Sequence, residues 1–217
     1  VDSAHLAVAL VPLSLYLLRQ AFLNLSRHPR VVSGYRDASV LMLGIAGCVL
    51  AGPLELFFPE SAAYVYGPFA WFLLFGLYLL AGSLAIMLMR PRLVIYNAHR
   101  EQVLPLIHNW LYELDPQSSW AGDNAIAPQL RLQLHLEYHP LTHNLQLIST
   151  GYYQDFEGWH KLQQKLRLEL ASVRTPRVGI GLALFALSLV LLAYVSVAVM
   201  SDQQNTVALL REMLRIY

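Results

Sequence analysis

Three histidines, His135, His139 and His143, recur at every fourth residue of LRLQLHLEYHPLTHN. On a helix that spacing would stack three imidazoles in one stripe, the geometry of a metal site. The stretch is not patterned as a helix. Leucine fills every second position from Leu130 to Leu136, Tyr138 continues the series, and Pro140 interrupts it. Period-two alternation ending at a proline marks a strand. In a strand His135 and His139 share a face but stand about 13 Å apart, too far for one ion.

A turn centred on Leu141 and Thr142 sets the register of the strand that follows. Tyr138 then faces Leu145, Leu136 faces Leu147 and Leu134 faces Ser149, so one face stays apolar, as register requires. On the other face His139 meets Asn144, Glu137 meets Gln146 and His135 meets Ile148. No two histidines become cross-strand neighbours, and no metal ligand set is expected. Arg131, Gln133, His135, Glu137 and His139 instead form a polar face, the candidate partner surface.

Two acids are the remaining chemical candidates. Glu55 is the only acidic residue inside an apolar span, and intramembrane acids are candidates for function. It lies near the end of its span, two residues after Pro53, where a hydrated interfacial carboxylate is the alternative. Asp123, in the loop WAGDN, would need partners to act as an acid, and His99 and His108 are the nearest in the chain. The sequence contains no G-x-S-x-G, P-loop, H-E-x-x-H or G-x-G-x-x-G pattern. A lone cysteine, Cys48, forms no internal disulfide and no zinc cluster. No catalytic residue and no cofactor are expected.

The elements that must position these residues are mostly apolar. Hydrophobic residues make up 56% of the 217, charged ones 13%, against about 25% charged in soluble domains. The formal net charge is +1, which offers no field for nucleic acid. Four stretches have the length and composition of membrane spans: about 4–25, 38–58, 62–89 and 178–200. Arg19, Arg27, Arg30 and Arg36 lie between the first two spans or just inside them. Arg90, Arg92 and Arg100 follow the third, and Arg174 and Arg177 precede the fourth. If the spans alternate, every basic flank falls on one side. The positive-inside rule then makes residues 91–177 cytoplasmic and both termini extracytoplasmic, in an inner or plasma membrane.

Residues 91–177 read as an inserted α/β sandwich. LVIY (93–96) is a short strand, and Asn97 is placed to cap the helix after it. Val103, Ile107, Trp110, Leu111 and Leu114 give that helix an apolar stripe, with Pro105 awkward inside it. QSSWAGDNAIAP reads as loop. The two alternating strands follow, and then a helix from about Asp155 to Val173 with Trp159, Leu162, Leu166 and Leu170 on one side. The order β-α-β-β-α predicts a mainly antiparallel sheet with both helices on its leucine face. It resembles an incomplete ferredoxin-like unit lacking its last strand, a likeness of fold that carries no function. Residues 201–217 end in TVALLREMLRIY, patterned as an amphipathic tail helix.

The expected fold is therefore an α-helical integral membrane protein of four transmembrane helices with a small inserted α/β sandwich. The expected function is that of a structural, assembly or interaction subunit. Its partners would be the lipid bilayer and other membrane subunits or a second copy, with no nucleic acid. A membrane-tethered ligand-binding or regulatory protein or an enzyme is the alternative, and a transporter or channel a third reading.

Overall fold

The computed structural model describes residues 3–54, 66, 67, 69–151, 155–175, 179–201 and 207. Glu55 and nearly all of the expected tail helix lie outside the described residues. In chain order the elements are α1 (Ser3–Asn24), β1 (Arg30–Ser33), α2 (Gly34–Val49), a π-helical turn (Leu50–Leu54), α3 (Phe69–Met87), β2 (Arg92–Tyr96) and α4 (Arg100–Leu114). They continue with β3 (Ser119–Ala121), β4 (Asn124–Ala127), β5 (Leu132–His139), β6 (Asn144–Ser149), α5 (Phe156–Leu170) and α6 (Gly179–Ser201). Four helical segments, Ser3–Asn24, Gly34–Leu54, Phe69–Met87 and Gly179–Ser201, are long and apolar enough to cross a membrane. The second starts at Gly34, ahead of the expected 38, because β1 runs directly into it.

The chain divides into two compact units. One comprises Val1–Arg19, Ala38–Leu88 and Leu184–Tyr217. Its described helices meet through small residues and backbone carbonyls. A Cβ on Gly47 would strike the Val8 carbonyl, and one on Gly82 would strike the Met42 side chain. Ser188 Oγ donates to Ser14 O at 2.8 Å, and Tyr78 OH donates to Met42 O at 2.6 Å. Close backbone approach of this kind drives helix packing where water supplies no hydrophobic contrast. Gly47 thus packs within the chain, whereas Gly179 has open space around it.

The other unit comprises Gln20–Asp37 and Met89–Ala183. It holds a fully antiparallel six-stranded sheet in the order β1-β2-β6-β5-β4-β3. The β5–β6 register pairs Tyr138 with Leu145, Leu136 with Leu147 and His135 with Ile148, as the leucine alternation requires. The core lies between one sheet face and α4 and α5. Leu132, Leu134, Leu136, Leu145, Leu147 and Ile95 meet Val103, Ile107, Leu111, Leu162, Leu166 and Leu170, all essentially buried. Each such side chain contributes about 1.5–3 kcal/mol of burial free energy.

Three strands extend the sheet beyond the sequence reading. The presumed loop QSSWAGDNAIAP is the β3–β4 hairpin, turned by Gly122 and Asp123 with Gly122 at φ +63°. β1 comes from the basic linker between the first two long helices and pairs with β2, Val31 opposite Ile95. It takes the place beside β2 that the missing last strand of a ferredoxin-like unit would occupy. That vacancy would leave the apolar β2 as an edge, and filling it blunts the edge with a strand of four residues.

Asn97 does not cap α4. His99 holds the cap position, without a side-chain bond. Asn97 stands at φ +55° and is fully buried, and its Nδ2 donates to Ser26 O at 2.6 Å and Thr175 Oγ1 at 2.9 Å. Thr175 N donates to Arg27 O at 3.0 Å. One amide therefore ties the link after α1, the link after β2 and the link before α6. Asp115, also fully buried, does more than end α4: its carboxylate accepts from Gln117 N (2.9 Å) and Gln129 N (2.8 Å).

Candidate functional site

The sheet face away from α4 and α5 is closed at one end and open at the other. On β2, Val94 and Tyr96 are buried on this face, and Gln20 Nε2 lies 3.4 Å from Tyr96 OH. On β4 and β5, Asn124, Ile126, Gln133 and Glu137 are exposed. Strand alternation alone puts Gln133, His135, Glu137 and His139 together on this side, since Leu132, Leu134 and Leu136 point into the core. His135 pairs across to Asn124 with its Nδ1 2.9 Å from Asn124 Oδ1. His139 Nε2 lies 3.7 Å from Glu137 Oε1. Arg131 is not part of the strand face. It precedes β5 in a turn, at φ +51°, its N–H donating to Pro128 O. Ile126, 47% exposed, is the apolar member of the open half, opposite Gln133.

The three histidines are dispersed, and no group of three or more metal-ligating side chains exists among the described residues. His143 leaves the sheet in a left-handed conformation, φ +48°. Its ring packs 4.5 Å, centroid to centroid, from that of His99, and its Nδ1 lies 2.9 Å from Tyr138 OH. His99 Nε2 is shielded and lacks a hydrogen-bond partner. Burial and the His143 ring push His99 below the ordinary histidine value, with Glu101 opposing. The sequence reading missed this pair because its members lie 44 residues apart. The Ala98 N–H to His143 O bond (2.7 Å) brings them together.

Asp123 does not meet the histidines. Its carboxylate accepts from Arg100 Nη2 at 2.6 Å. His108 stacks on Trp120 at 3.9 Å, and burial lowers its pKa. An acid–base pair built on Asp123 with His99 or His108 is therefore not assembled. No protein-family model, curated protein or solved structure matches the chain.

Proposed function

We propose that the protein is an integral membrane structural, assembly or interaction subunit whose α/β domain, on the cytoplasmic side, binds a protein partner through the open half of its sheet. The observation that carries this reading is Ile126 standing 47% exposed among Asn124, Gln133, His135 and Glu137. An apolar centre with a polar rim is the anatomy of a protein interface. The rim is pre-ordered, since His135 already holds Asn124, so little side-chain freedom is lost on docking. The opposite sheet face is spent on α4 and α5, and the β2 end of this face is closed, which leaves β4–β5 for recognition.

A photo-crosslinking residue at Gln133 tests this in native membranes. One discrete adduct is expected, lost on Ile126→Glu, with none from the same residue at Glu157 on the outer side of α5. An adduct of twice the chain mass identifies a second copy. Equal labelling from both positions, or no adduct at Gln133, overturns the reading.

A further inference from the structure

We infer that Arg36, Arg90 and Arg92 form a seat for the phosphate of an anionic phospholipid. The inference rests on the membrane-spanning reading of the long helices and goes beyond the partner surface, from which Arg92 on β2 is separated by β6.

Among the described residues, three Lys and Arg side chains of this unit pair with acids and the others, Arg27, Arg30, Arg131, Arg167 and Arg174 among them, do not. Lys161 pairs with Glu157, Lys165 with Glu113 and Glu169, and Arg100 with Asp123. These lie on α4, α5 and the β3–β4 turn, and acids neutralise them. Arg36, Arg90 and Arg92 have no acidic partner among the described residues. The acid nearest them in the chain, Asp37, accepts from Gln20 Nε2.

The strand register brings Arg92 to the start of α2, and Arg36 and Arg90 stand two residues along the chain from Gly34 and Arg92. Ser33 pairs with Leu93, which sets Gly34, at the start of α2, beside Arg92. A Cβ on Gly34 would collide with Arg92 Cγ and lie 2.8 Å from its Nε. Glycine is needed there so that the arginine can lie across the start of α2. Its Nε is shielded from water with no acceptor. Arg36 follows in the first turn of α2, and Arg90 precedes β2 by two residues; both are exposed.

Apolar side chains accompany the charge. Tyr35 is 62% exposed and Met89 39%. The cluster sits in the chain where two candidate spans, Gly34–Leu54 and Phe69–Met87, begin and end. Cations without counter-ions beside an exposed tyrosine and methionine match the boundary between headgroup and acyl chain. A soluble phosphate would leave that apolar skirt uncovered.

Native mass spectrometry of the purified full chain, titrated with dioleoyl phosphatidylglycerol or dioleoyl phosphatidylcholine, provides the test. Phosphatidylglycerol is expected to bind at least about tenfold more tightly. Arg36→Gln and Arg90→Gln, both at exposed positions, should each weaken it by about fivefold, the worth of one arginine at an anionic surface. Lys161→Gln with Lys165→Gln should leave it unchanged. Equal binding of the two lipids, undiminished binding by the arginine variants, or equally effective displacement by inorganic phosphate overturns the lipid seat. Alkaline carbonate extraction of native membranes separates the two levels. Release of the chain defeats the membrane reading itself, whereas a retained chain without lipid preference defeats only the seat.

Discussion

At the scale of single residues, the histidines prove informative for a reason other than the one their spacing suggests. The His99 and His143 rings pack 4.5 Å apart, tilted by 42°, with a tyrosine hydroxyl on the His143 ring. His99 is held below the ordinary value of 6.5 by burial and by His143, against a smaller pull from Glu101, and His108 is lowered by burial. A folded-state pKa below the unfolded one means that the unfolded chain binds more protons, so stability rises with pH across that window. The contribution is fully present above about pH 6.5 and is lost as pH falls through the lowered folded values. Thermal unfolding of the detergent-solubilised chain, followed by tryptophan fluorescence, should therefore give a midpoint that is flat above about pH 7 and falls below it. His99→Asn together with His108→Asn should flatten that fall. An equally steep fall in the double variant would assign the acid sensitivity to other groups.

At the scale of elements, legibility followed the length and contrast of each pattern. The β5–β6 register was readable because a one-residue slip would carry Leu132, Leu134, Leu136, Leu145 and Leu147 from core to solvent together. α4 and α5 were readable from their apolar stripes. β1 was not, because RVVS (30–33) has four residues, too few to establish a period, and sits among arginines that also serve as a membrane flank. The β3–β4 hairpin did carry a signal, a Gly-Asp pair suited to a two-residue turn, but its strands, SWA and NAIA, are short and mostly small. Asn97 is a different case. A buried asparagine in a three-residue link resembles a helix cap until the chain crossings it joins are known.

β1 makes the domain discontinuous in sequence, and that has a testable consequence. Residues 91–177 expressed alone lack β1 and leave β2 as an apolar edge, so the fragment should be aggregation-prone and poorly protected from hydrogen exchange at Leu93–Tyr96. Thr175 N donates to Arg27 O, and His28 Nδ1 lies 2.9 Å from Val173 O, so the end of the fragment already lies beside the entry to β1. Appending residues 26–34 after Thr175 through a short glycine linker should restore solubility and exchange protection. If the fragment without β1 is as soluble and as protected as the permuted one, β1 is dispensable to the sheet.

At the scale of the whole molecule, two patterns coexist in one chain. Four helical segments are apolar enough to cross a membrane, and between the third and fourth lies a sequence that alternates, caps and pairs its charges like a soluble domain. The arginines mark where one pattern gives way to the other: Arg27, Arg30 and Arg36 between α1 and the body of α2, Arg90 and Arg92 after α3, Arg174 before α6. Between the second and third spans the chain has no Lys or Arg. Basic residues resist translocation, so the three basic links should share the cytoplasmic side. That alternation predicts that Leu141, 88% exposed in the β5–β6 turn, and Val207, beyond α6 and 52% exposed, lie on opposite sides. In a Cys48→Ala background, Val207→Cys should react with a membrane-impermeant maleimide on intact cells. Leu141→Cys should react only after permeabilisation. Labelling of both from one side would mean that one of the four segments does not span, and α1, which carries Arg19 in its last third, would be the first to re-examine, because charged side chains within a span are costly.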